Sequence, residues 1–104
     1  MGDAPPIRVV SARELRLIFN NGGYWQKAKA GALREVIIRD GHPSAPKANE
    51  PFCTRSQTII YQDKLDQWIA VVHQYLRQDG SLGASGAPDP KRLLHEGTLF
   101  EARG

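Results

Sequence analysis

The 104-residue chain has one cysteine, Cys53, and that scarcity removes whole classes of small protein. A single thiol cannot close an intrachain disulfide or build a thiolate metal cluster, so disulfide-stapled and zinc-ribbon frameworks are excluded. A reducing, cytoplasmic setting fits this usage. No run approaches the roughly 20 apolar residues of a membrane span, and MGDAPPIRVV lacks the apolar stretch of a signal peptide. Met1-Gly2 opens like a myristoylation signal, but Pro6 stands where Ser or Thr is required. No membrane association is therefore expected. Heptads and internal repeats are also missing. The glycine-rich stretch Ser81–Gly86 is not followed by Gly-Lys-Ser/Thr, so it has neither the lysine nor the metal ligand of a phosphate-binding loop.

The composition that remains belongs to a globular protein. Hydrophobic residues make up 40% and charged residues 24%, which is near the average for folded domains and unlike a disordered chain. Two Trp, three Tyr and three Phe are enough large side chains for one modest core, so residues 1–104 read as a single domain. The net charge is +3, and Lys27, Lys29, Arg34 and Arg39 against Glu35 account for an equal excess. With Tyr24 and Trp25 beside them, these residues have the make-up of a surface that contacts phosphate and stacks on bases. A solvated face with ordinary lysines and arginines has the same composition.

Taken in order, residues 1–6 read as a flexible tail. Ser11-Ala-Arg-Glu14 has the form of a capping box, followed by Leu15, Ile18 and Phe19 at helical spacing and by Asn20-Asn21-Gly22-Gly23. A helix over Ala12–Phe19 is expected. Tyr24–Ala32 suits helix or strand, because three alanines favour one and the Lys/Ala alternation the other. Arg34–Arg39, with Val36, Ile37 and Ile38 before Asp40-Gly41, reads as a strand. Pro43, Pro46 and Pro51 mark 42–53 as a Pro-rich loop.

Arg55–Gly80 carries two conflicting signals. Trp68, Val71, Val72, Tyr75 and Leu76 complete a helical stripe. Ser56–Tyr61 and Trp68–Tyr75 are nevertheless rich in β-branched and aromatic residues, joined by a polar link of hairpin length. Antiparallel strands are preferred. Residues 81–88 read as a Gly/Ser hinge. Asp89, Pro90 and Gly97 stand at cap, first-turn and C-terminal positions for a short helical turn, and Thr98–Phe100 for a closing strand. The expected fold is α+β: a small, mainly antiparallel sheet from the Arg34, Arg55, Trp68 and Thr98 regions, covered by one N-terminal helix, with a short C-terminal helical turn.

The stretch VHQYLRQDGSLGASGAPDPKRLLHEGTLF resembles a motif of small uncharacterised bacterial proteins, some of them carried on mobile elements. The likeness runs from about Thr54 to Phe100. It implies a strand–turn–strand pattern before the motif, and it brings no activity and no site residues. Asp63-Lys64-Leu65-Asp66 departs from it in having no glycine at the turn.

Candidate chemistry centres on His42, His73 and His95, the groups that titrate nearest neutrality. None has the spacing of a metal ligand pair, so no metal and no cofactor are expected. Cys53 with His73 or His42 is the only set resembling an activated nucleophile. A metal-independent ribonuclease would need a base, an acid and cations. His73 with Glu35 or His95, and Arg55, Lys91 and Arg92, are the candidates. The favoured reading is a non-enzymatic binding module, homodimeric through unpaired strand edges and contacting nucleic acid or another anionic ligand through Lys27, Lys29, Arg34, Arg39, Tyr24, Trp25, Lys91 and Arg92.

Overall fold

The computed structural model describes residues 4–41 and 49–103. Strand β1 (Ile7–Val10) leads into helices α1 (Ala12–Asn21) and α2 (Tyr24–Lys29). Strands β2 (Arg34–Gly41), β3 (Arg55–Gln62), β4 (Trp68–Leu76), β5 (Asp89–His95) and β6 (Thr98–Ala102) follow. The strands form one sheet in the order β1-β6-β5-β4-β3-β2. Four neighbouring pairs are antiparallel, while β1 lies parallel to β6, so the sheet is mixed.

This corrects the expected α+β fold of a small sheet under a single N-terminal helix. The protein is mostly β, with six strands and two short helices among the described residues. Ile7–Val10 had no obvious partner in the sequence. It becomes a strand because β6 offers it an open edge, and Leu99 N–H donates to the Pro6 carbonyl at 2.9 Å as the ladder begins. The expected tail is thus tied down from residue 6; residues 1–3 lie outside the described residues.

The second correction falls on 88–97, where a helical turn was expected. Asp89–His95 is instead a strand paired on both sides, to β4 and β6. Glu96 (φ 49°) and Gly97 (φ 79°) make the two-residue turn into β6. Two successive positive φ values are what a type I′ hairpin turn demands, and its twist matches the flanking strands. Gly97 therefore serves a hairpin rather than a helix end. Pro90 is tolerated inside the sheet because it meets Val72 where the β4–β5 register shifts.

The helices form as their local chemistry dictates. The Ser11 hydroxyl accepts from the Glu14 N–H at 3.0 Å, and Leu15 and Phe19 are fully buried one turn apart. Gly22 sits where a Cβ would collide with the Tyr24 ring, and Gly23 takes φ 67°, so α2 can turn back onto α1. Tyr24 and Ala28, four residues apart, are the buried positions of α2, which decides the Lys/Ala alternation in favour of helix. Phe19 stacks on Tyr24 with ring centres 6.0 Å apart.

The hairpin of β3 and β4 also forms without a turn glycine. Asp63 Oδ1 accepts from the backbone N–H groups of Leu65 and Gln67, both at 2.9 Å, and Asp66 adopts φ 60° in its place. Ile59 and Tyr61 on β3 face Val72 and Ala70 on β4, and these four join Val10, Leu15, Phe19, Tyr24, Leu93 and Phe100 in the core. The helical stripe through Trp68 and Val72 loses because alternate residues, Ala70 and Val72, are the ones buried.

The Gly/Ser stretch is held by an internal anchor. The Glu50 carboxylate, its side chain only 4% exposed, accepts from Arg77 Nε at 2.9 Å and from the Ala84 N–H at 2.8 Å. Those bonds hold its pKa below the ordinary carboxylate range. Of the expected Pro-rich loop, 42–48 lies outside the described residues.

Candidate functional site

Strands β3, β4 and β5 bring Ser56, His73 and Asp89 side by side. Thr58 pairs with His73 and His73 with Asp89, although His73 and Asp89 are far apart in the chain. Ser56 Oγ and His73 Nε2 are hydrogen-bonded at 2.8 Å, and the Tyr75 ring meets the imidazole edge-on at 4.8 Å. Half-burial lowers the His73 pKa, the nearby Lys91 ammonium lowers it further, and Asp89 acts in the opposite sense. Together these favour the neutral imidazole.

A cleft of about 310 Å³ opens beside it, lined by His73, Tyr75, Lys91, Asp89, Arg16 and the turn at Gly83–Ala87. Asp89 is the organising group. One carboxylate oxygen faces Arg16 Nη1 at 3.4 Å and the other Lys91 Nζ at 2.9 Å.

Serine, histidine and aspartate are the ingredients of a hydrolytic triad, in which the acid must hold the second imidazole nitrogen. Here both Asp89 oxygens are engaged by cations, and no hydrogen bond joins Asp89 to His73 among the described residues. Ser56 and His73 share a hydrogen bond, but among the described residues no acid orients the imidazole.

Of the residues singled out from the sequence, only His73 and Lys91 share this cleft. Arg55 lies in a separate hollow with Cys53 and Arg77, and it pairs with Asp40 at 3.3 Å. Arg92 pairs with Glu101 across β5 and β6 at 3.5 Å. His95 Nδ1 is 2.6 Å from the Tyr24 hydroxyl, whose pKa burial raises. Glu35 and Arg39 are on β2, as is Arg34, which pairs with Asp66 at 2.9 Å. Tyr24 is buried, and Lys27 lies 4.8 Å over its ring; Lys29 lies 4.0 Å over Trp25. Those aromatic faces are occupied within the molecule. His42 lies outside the described residues.

Sequence reasoning missed Asp89 and Arg16 as members of the cleft and Ser56 as the partner of His73. Asp89 was visible only as a helix cap, and its partnership with His73 exists only once β4 and β5 pair. Among the described residues no group of three His, Cys, Asp or Glu side chains is placed to hold a metal ion.

A second feature is the outer strand. β2 is exposed at every residue except the half-buried Val36, and Ile37 and Ile38 are 52% and 55% exposed. One edge pairs with β3, with Ile38 as the extra residue of a bulge; the other edge has no strand beside it among the described residues. β1 closes the opposite side of the sheet, with Ile7 and Val9 exposed. No helix among the described residues is long and apolar enough to cross a membrane. Neither a family model nor a curated protein nor a solved structure matches this chain.

Proposed function

We propose that this chain is a non-enzymatic binding module that works as a homodimer in the cytoplasm, with affinity for anionic ligands such as the phosphates of nucleic acid. The observation that carries the reading is β2. An exposed strand with an open edge and two solvent-facing isoleucines is a surface that small β proteins bury against another chain. The single thiol suits a reducing compartment. Arg16 and Lys91 leave the cleft with one positive charge beyond what Asp89 neutralises, which is suited to a phosphate oxygen.

Light scattering across a dilution series tests the dimer, and a strictly monomeric chain would refute it. Binding of a fluorescent single-stranded RNA tests the ligand class. It should weaken steeply as salt rises, because phosphate contacts release counterions. Salt-independent binding, or none, would remove nucleic acid from the reading.

The Ser56–His73 bond favours one alternative, a metal-independent ribonuclease. A neutral imidazole can take a proton, and Lys91 can hold a phosphate oxygen. Arg55, Arg92, His95 and Glu35 are elsewhere, so this reading has a base and cations but lacks its second histidine. RNA breakdown in chelator that is lost in His73→Ala would establish it.

A further inference from the structure

Leu93 and Phe100 join Leu15 and Phe19 in the core, so alternation turns their strand neighbours Arg92, Leu94 and Leu99 to the opposite face of the sheet. On that face Arg92 stands across from Val71 and Leu94 across from Leu99. With Pro5 and Trp68 they line a hollow of about 320 Å³, separate from the cleft beside His73. The strands that build it are bent. Ile69 is the extra residue of a bulge in β4 and Lys91 of another in β5, and a bulge bends the strand that carries it.

Two properties of the hollow specify its occupant. Its lining is apolar apart from Arg92 and Gln67, and Trp68 is 58% exposed, which leaves much of a large aromatic side chain to solvent. Arg92 is the charged residue of the lining. Glu101, outside the hollow, meets its Nε at 3.5 Å, and among the described residues the two terminal nitrogens have no hydrogen-bond partner. A guanidinium with both terminal N–H groups open accepts a carboxylate in bidentate fashion.

We infer that the hollow binds a small aromatic carboxylate, its ring on Val71, Leu94 and Leu99 against Trp68 and its carboxylate on the terminal nitrogens of Arg92. The Trp68 ring selects an aromatic body over an aliphatic one, because paired rings gain beyond the area they bury. Size agrees with this. Small-molecule sites run from about 300 to 1,000 Å³, so a hollow at the lower end takes a compact ring system. The Arg92 side chain is 60% exposed, so burial supplies most of the affinity and the guanidinium supplies selectivity for a charged head. The site is independent of the homodimer and of the cleft beside His73.

The experiment is titration of the full chain with naphthoate and with its uncharged counterpart naphthamide, followed by backbone amide chemical shifts. Naphthoate should bind with a dissociation constant on the order of 100 µM, moving the amides of Trp68, Val71, Arg92, Leu94 and Leu99. Naphthamide should bind about fivefold more weakly, and Arg92→Leu should erase that preference. Leu94→Glu places a carboxylate in the hollow and should weaken naphthoate by about tenfold or more. Circular dichroism checks the fold of each variant, and the acid–amide comparison on the parent chain needs none. Unmoved amides at about 1 mM naphthoate overturn the site, and equal binding of acid and amide overturns the carboxylate. A dimer that excludes naphthoate and becomes monomeric with Leu94→Glu gives the hollow to a second copy, which likewise overturns the inference.

Discussion

The two ends of the sheet are built from similar strands and treated very differently. At one end α1 packs across β5 and β6, and β4, β5 and β6 contribute Val72, Leu93 and Phe100 to the core. At the other end β2 has the equally apolar Val36, Ile37 and Ile38, yet Val36 is only half-buried and both isoleucines are more than half exposed. The difference is one of reach. α1 lies against β5 and β6, and β2 is three strands beyond β5 at the rim of the sheet. The helix layer runs out before the sheet does. Apolar residues at the far end then face water or another chain.

Predictions follow from that contrast, the largest first. Phe19→Ala empties the centre of the covered end and should cost about 3–5 kcal/mol in denaturant unfolding. Ile38→Ala at the bare end, measured at high dilution, should cost within about 0.5 kcal/mol. Equal losses would break the comparison. Gly22→Ala drives a methyl into the Tyr24 ring where α1 meets α2, and should cost about 1–3 kcal/mol by the same measurement.

His73 stands where the two ends meet, on β4. Its folded pKa is lowered, so the folded protein binds its proton less readily than the unfolded chain does. Stability should therefore decline as pH falls below about 6.5, the ordinary histidine value, and level off below the folded pKa. The melting temperature of His73→Gln, followed from pH 7.5 to 5, should lack that decline.

Tyr61→Phe is expected to have the smallest effect. The Tyr61 ring is fully buried, and its hydroxyl has no hydrogen-bond partner among the described residues. Burial, with Glu35 adding to it, pushes its pKa up. Removing an unpaired buried hydroxyl should leave stability unchanged or raise it by about 1 kcal/mol. A clear loss would mean that this hydroxyl is satisfied after all.

Much of the fold was legible where the signal is local. Ser11 and Glu14 announced α1, the β-branched run announced β2, and the aromatic and β-branched composition of Arg55–Leu76 favoured the hairpin that is present. The misreading of Asp89–His95 has a physical basis. A proline after an aspartate and a later glycine describe a helical turn and a strand ending in a type I′ hairpin equally well. Partners on both sides chose the strand. Ile7–Val10 was silent for the same reason: a four-residue strand has no independent stability and takes its form from the edge it joins.

The candidate cleft was less legible. His73 and Lys91 could be singled out by residue type, but Ser56, Asp89 and Arg16 gain their roles only from cross-strand neighbours and from a helix arriving beside β5. The proposed ribonuclease set was a list of suitable side chains, and the sheet scatters Arg55, Arg92, His95 and Glu35 among other partners.

By itself the sequence determined the N-terminal helix, the β-branched make-up of the strands and the single thiol, because each depends on neighbours within a few residues. Tertiary structure alone decided that β1 joins β6, that Asp89 meets His73 rather than capping a helix, and that β2 is left at the rim. Those outcomes depend on which strands pair and how far two short helices extend, and no local stretch of chain contains that information.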